Sequence, residues 1–243
     1  KIKLFLSEIN HIIDNNIDNI DLNLVQTYKE NSSPPNCTRH HKIFNKYNMI
    51  PEFCFGCYKI EIEPENVLDL IKLHIIFDNF EFKNNNMRKC MIELRTNIPG
   101  NYKGFIYCKT IQEAENIFQD LSKVLKNNFN KEISSKIKRG CSEFSIKFPK
   151  YKNLKKDVFS YNKLWKNNEN LFDNENLEFA FERKIKPTIK GVTLFDAVVI
   201  RNWLAFAKLI GDDSYKIVLD REFHSKFIEE KIKTKLSQRQ QSN

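Results

Sequence analysis

Between Cys54 and Leu125 the chain carries an unbroken series of strongly patterned segments, and their order restricts the fold more than any other feature. Tyr58, Ile60 and Ile62 alternate with Lys59, Glu61 and Glu63, the period of a half-buried strand. Pro64 opens a helix whose apolar positions run from Val67 to Phe80, and the Asn84-Asn85-Asn86 run ends it. Cys90 to Leu94 reads as a second strand, Pro99-Gly100 as a turn, and Phe105 to Cys108 as a third strand. Thr110 and Glu113 have capping-box spacing ahead of a helix with Ala114, Ile117, Phe118, Leu121, Val124 and Leu125 on one face. After a polar connection from Asn127 to Arg139, Phe144 to Phe148 alternates again and supplies a fourth strand. The order β-α-β-β-α-β predicts an α+β protein with a ferredoxin-like, split βαβ core.

Around that core, 37–148, the sequence predicts two flanking regions. Residues 1–36 read as an N-terminal helical arm, with Leu4, Phe5, Ile9, Ile12 and Ile13 on one side, closed by the Ser32-Ser33-Pro34-Pro35 linker. Residues 149–243 read as a C-terminal extension. Its first part, to 190, is rich in Lys and Asn with scattered aromatics and reads as loop. A buried helix follows from Leu194 to Ile210, with Thr193 and Asp196 capping its start and Gly211 after its end. A charged helix over 222–237 completes it.

The chain of 243 residues is long enough to bury a core without covalent staples. Its net charge of +9 suggests an anionic partner, but that charge comes from 32 Lys against 8 Arg in an Asn- and Ile-rich background. Such a mixture also follows from AT-rich coding, and recognition of phosphates and bases leans on Arg forks. No apolar run approaches the roughly 18 residues of a membrane span, and no signal-peptide pattern opens the chain. These points predict a cytoplasmic protein without a membrane partner. Walker A, G-x-G-x-x-G, G-x-S-x-G and H-E-x-x-H motifs are all absent, and with only six Gly there is little material for phosphate-cradling loops.

Six Cys are too sparse for a disulfide scaffold and read as metal ligands, core residues or reactive thiols. Two metal arrangements present themselves. In a split βαβ sheet, Cys54 and Cys57 before strand one, Cys90 at the start of strand two and Cys108 at the end of strand three lie at one end of the sheet. Four thiolates there suit zinc, or alternatively an iron–sulfur cluster. The other arrangement uses Cys37, His40 or His41, Cys54 and Cys57, a spacing close to that of zinc fingers. Against both stands the core reading, since a lone strand Cys such as Cys90 or Cys108 is commonly a small buried hydrophobe.

Lys103-Gly104-Phe105-Ile106-Tyr107 resembles the opening of the RNP1 motif of RNA recognition motif domains. The resemblance covers five residues, and strand one offers Lys59 and Glu61 where that family places an aromatic. It implies that Phe105 and Tyr107, on one face by period two, stack bases beside Lys103. Arg139 and Cys141 sit in a polar cluster, Arg139-Gly140-Cys141-Ser142-Glu143, suited to an anion or a reactive thiol. Arg201 on the apolar 194–210 helix needs a carboxylate or a ligand anion. His74 and His224 read as structural histidines. The sequence thus predicts a cysteine-rich, metal-stabilised binding protein with an anionic ligand such as RNA or DNA. A metal- or cysteine-dependent enzyme acting on a small anion, and a structural interaction domain, are the alternatives.

Overall fold

The structure, a computed structural model, describes residues 23–29, 35–95, 98–155, 158–180, 190–218 and 225–240, together with isolated positions before residue 23. It is an α+β fold built on one five-stranded antiparallel sheet. The strands are β1 (Gln26–Lys29), β2 (Tyr58–Glu63), β3 (Arg88–Ile92), β4 (Tyr102–Cys108) and β5 (Ser134–Arg139). Their spatial order is β1-β3-β4-β2-β5. Strand β4 lies between β2 and β3.

Helix α1 (Cys37–Tyr47) and the short α2 (Glu52–Gly56) precede β2; α3 (Val67–Asn79) links β2 to β3, and α4 (Ile111–Asn128) links β4 to β5. Asn66 and Thr110 cap α3 and α4 by accepting from the backbone N–H three residues on. After β5 come α5 (Phe144–Lys147), α6 (Trp165–Glu175), α7 (Leu177–Ala180), α8 (Leu194–Ile210) and α9 (Lys226–Gln240). The capping box of α8 forms as expected: Thr193 accepts from Asp196 N–H, Asp196 accepts from Thr193 N–H, and Gly211 turns the chain at φ 79°.

Three expectations are corrected. The fourth strand is not Phe144–Phe148 but Ser134–Arg139, within the stretch that read as a polar connection. Phe144 to Lys147 makes one helical turn, because Phe144 and Phe148 at i and i+4 both reach Phe44, with ring centroids 4.5 and 6.3 Å away. The loop-like stretch before 190 contains α6, anchored by Arg39, whose guanidinium grips Asp173 at 2.6 Å and Glu169 at 3.1 Å. The region read as an all-helical arm contributes β1, which pairs with β3 at the sheet edge. Within that arm, Ile13 is buried against Ala197 and Val198 of α8; most of its other positions, and His224, lie outside the described residues.

One face of the sheet holds the core. Tyr58, Ile60, Ile62, Cys90, Ile92, Tyr102, Ile106 and Cys108 pack there with residues of α3, α4 and α8. Gly104 sits on that face because a Cβ would stand 2.4 Å from Leu73 of α3. The edge strand β1 is tied in from the far end of the chain. Lys29 Nζ lies 3.1 Å from Asp78, 3.5 Å from Asp196 and 2.6 Å from the Gly191 carbonyl. Asn202 and Trp203 donate to the Leu24 and Val25 carbonyls.

Candidate functional site

Strand alternation sends the remaining residues of each strand to the second face of the sheet. The registers align them in rows: Tyr28, Lys89, Phe105, Glu61 and Lys136 form one, and Tyr107, Lys59 and Lys138 form the next. Lys103 and Tyr107 therefore flank Phe105 on its own strand, as their spacing predicts. Phe105 is only 4% exposed, and its cover is cationic. The ammonium groups of Lys59, Lys89 and Lys138 lie 4.7, 5.4 and 5.9 Å from its ring centroid.

These cations are unequally matched. Lys138 pairs closely with Glu61, and Lys136 reaches Glu61 at 3.3 Å and Glu63 at 3.2 Å. Lys103 pairs with Glu63 at 2.8 Å. Lys89 donates to the Gln26 side-chain oxygen at 3.2 Å, and neither it nor Lys59 has a carboxylate within ion-pairing distance among the described residues. Burial, then the neighbouring charge of Lys138, pulls the Lys59 ammonium down to a pKa of about 8. Burial and Arg95 lower Lys89 as well. Burial works against ionised Glu61, yet its bond to Lys138 and the charge of Lys103 hold its carboxyl at about 2. At the rim, Arg95 bridges Glu93 at 2.7 Å and Glu143 at 2.9 Å.

Beside this face the chain gathers thiols from three segments: Cys37 opens α1, Cys54 and Cys57 flank the end of α2, and Cys141 follows β5. Cys54 and Cys141 pack in one buried cluster, and Cys37 lies one turn before His40 on α1. Cys57 Sγ packs over Gly140, where a Cβ would come within 2.4 Å of it. The neighbouring Cys141 thiol, then burial, raises the Cys37 thiol pKa. Burial pushes Cys57 up to about 12, while Lys59 and Arg139 favour its thiolate. Phe44, Phe144 and Tyr151 enclose Cys54 and Cys141. Among the described residues, no group of three or more His, Cys, Asp and Glu side chains is already set out to hold a metal ion. The thiols are gathered but not closed around a centre.

The four-thiol set Cys54, Cys57, Cys90 and Cys108 is not brought together. Strand β3 begins two residues before Cys90, and its register puts Cys90 opposite Gly104, four residues short of Cys108. That offset is about 13 Å along the strand. Both side chains point into the core, where burial raises Cys108 to about 12 and Cys90 well above its ordinary value. Of the second arrangement, Cys37, His40, Cys54 and Cys57, the structure brings Cys54 into one cluster with Cys141 and sets Cys57 against Gly140. Arg139 faces the core side: it lies over the Tyr58 ring at 4.7 Å and donates to the Phe55 and Asn153 carbonyls. Arg201 is half-buried on α8, the helix that packs on the core face. Lys59, Lys89 and Lys138 were missed as site residues. Their signal was present, since period two places Lys59 beside Phe105 once strand order is known, whereas Lys138 lay in a stretch with one apolar residue. No family model matches this chain, and no curated protein or solved structure is significantly similar to it.

Proposed function

We propose that the protein binds a small phosphate- or carboxylate-bearing ligand on the second face of its sheet, through Lys59, Lys89 and Lys138. The observation that carries this reading is three ammonium groups around one phenyl ring, two of them without a carboxylate partner among the described residues. Lys59 and Lys138 stand directly opposite each other on adjacent strands, a like-charge pair that costs the sheet roughly 0.2–1 kcal/mol. An anion bridging them and Lys89 removes that cost and restores the solvation that burial takes away. A compact anion suits the site better than an RNA strand, because the lysines already cover the Phe105 ring on which a base would stack. An enzyme using the Lys59 amine is the second reading, favoured by its half-desolvated setting.

The core itself we read as ferredoxin-like. The chain order β2-α3-β3-β4-α4-β5 with spatial order β5-β2-β4-β3 supports that reading. Six free thiols support a reducing, cytoplasmic setting. No helix of the described residues is long and apolar enough to cross a membrane.

Calorimetric titration at low salt with inorganic phosphate, citrate, a nucleoside monophosphate and a uridine oligomer tests the ligand class. Saturable binding of a small anion, weakened tenfold or more in Lys89→Ala, is expected. Absence of binding, or full affinity in Lys89→Ala, refutes the proposal. Binding of the oligomer alone, with a steep salt dependence, turns the reading to RNA.

A further inference from the structure

We infer that Cys37, Cys54, Cys57 and Cys141 are the ligands of a structural zinc ion. Three parts of the chain, the start of α1, the α2–β2 junction and the segment after β5, supply four thiols, of which Cys54, Cys57 and Cys141 are buried and Cys37 half-buried. Cys54 and Cys141 share one buried cluster, Cys57 packs on the Gly140 backbone beside Cys141, and Cys37 is near enough to act on the Cys57 thiol. A thiol is a weak donor and a weak acceptor, so such proximity stabilises a fold little. As a ligand set the same grouping is strong, since four soft sulfur donors suit tetrahedral zinc.

The local geometry agrees on both sides of the cluster. Cys54 and Cys57 span a turn closed by Cys57 N–H donating to the Cys54 carbonyl at 3.3 Å, the two-ligand knuckle of Cys-x-x-Cys sites. The Cys54 carbonyl also accepts from the Tyr151 hydroxyl at 2.8 Å, which fixes the knuckle from outside. Position 140 is a glycine, and the Cys57 sulfur occupies the space a side chain would need. His40, buried and stacked on Phe53 at 5.0 Å, lies one turn after Cys37 on α1 and is placed to orient it, not to bind the ion. Phe44, Phe144 and Tyr151 pack around Cys54 and Cys141, a dry setting suited to a structural site.

Binding replaces four S–H bonds by four Zn–S bonds and releases four protons, leaving two negative charges on the centre. The thiols must draw together to close the centre. The ion then joins α1, the first core strand and the end of the last one, a junction otherwise held by aromatic packing.

The inference stands apart from the anion-binding proposal, because its test reads metal. The full chain, produced with zinc supplied, is assayed for metal by plasma mass spectrometry. The metal-stripped chain is titrated with cobalt(II) and followed by the thiolate-to-cobalt charge-transfer band. One zinc per chain is expected, with the intense visible bands of tetrahedral cobalt thiolate after exchange. Cys37→Ser and Cys141→Ser are expected to abolish stoichiometric zinc, while Cys90→Ser and His40→Ala retain it. Should the ligand variants fail to fold, chelation of the intact chain provides the second measurement: the melting temperature falls and returns when zinc is restored. Wild-type chain without zinc and without a cobalt band overturns the inference. So do iron with acid-labile sulfide, a disulfide between any two of the four cysteines in freshly purified protein, or zinc retained in Cys57→Ser but lost in His40→Ala.

Discussion

Gly104 offers a sharp test of why one face of the sheet is helical. It lies mid-strand in β4, opposite Ile62 and Cys90, directly beneath α3. A methyl group there would stand 2.4 Å from Leu73 Cδ2 and 3.4 Å from Phe77 Cζ. Carbon atoms in contact sit about 3.5–4.0 Å apart, so the Leu73 methyl must retreat by roughly 1.1–1.6 Å. Leu73 is fully buried and Phe77 nearly so, which leaves it no empty space to enter. Overpacking of this kind costs about 1–3 kcal/mol. Replacing a strand glycine by alanine recovers roughly 0.5–1 kcal/mol of backbone entropy, so the net loss for Gly104→Ala is about 0–2.5 kcal/mol. For a chain of this length that lowers the melting temperature by up to about 10 °C. The measurement is thermal and urea unfolding of the variant, of Leu73→Ala, and of the double mutant. Leu73→Ala alone is expected to cost about 2–5 kcal/mol, and the double mutant less than the sum, since the new methyl enters the space that is vacated. A Gly104→Ala chain that melts above the wild-type temperature, or strict additivity in the double mutant, would refute the close approach of α3.

Three further outcomes are expected. Glu61→Gln removes the carboxylate that Lys138 and Lys136 share: stability drops by roughly 2 kcal/mol, less than for a fully enclosed pair because Lys136 is 56% exposed, while affinity for a small anion rises. Urea unfolding with phosphate titration reads both, and equal signs for the two effects would sink the charge argument. His74 is kept neutral in the fold by burial and by Lys29 and Arg88, against the pull of Asp196 and Asp78. The unfolded chain alone takes up that proton below about pH 6.5, so stability is full above that pH and falls as the pH drops, by at most about 1.4 kcal/mol per pH unit; His74→Gln should flatten this slope, and an unchanged slope assigns it elsewhere. Gly140→Ala drives a methyl against the Cys57 sulfur and is expected to lower both stability and zinc content, whereas unaltered metal content would place Cys57 outside the site.

The elements that were legible in the sequence are those whose signal is local. Alternation marked β2, Thr110 and Thr193 marked two helix starts, and Gly211 marked a helix end. What escaped depends on partners far along the chain. Ser134 to Arg139 has one apolar residue, and it is a strand because Lys136 and Lys138 find Glu61 and Glu63 across the ladder. Phe144 to Phe148 is too short for period two and period 3.6 to be told apart, and the Phe44 ring decides between them. The thiol site was half legible. Cys37 and the Cys54–Cys57 pair are joined by short segments, but Cys141 comes in only after the whole β-α-β-β-α-β path has been traversed. Cys90 and Cys108 looked convergent from topology, and a register offset of four residues separated them.

The clamp on β1 bears on where this chain can be cut. Residues 24–29 close the β3 edge of the sheet, but Lys29, Leu24 and Val25 are themselves held by Asp196, Gly191, Asn202 and Trp203. The edge is a joint product of two stretches more than 160 residues apart. A shortened chain that starts after residue 35 and one that stops before residue 190 therefore share one defect, an unguarded β3 whose free N–H and C=O groups invite another molecule to pair. Both should self-associate, visibly in light scattering, although they lack opposite ends of the polypeptide. For anyone choosing boundaries for expression or for a fusion, the indivisible unit reaches from β1 to α8.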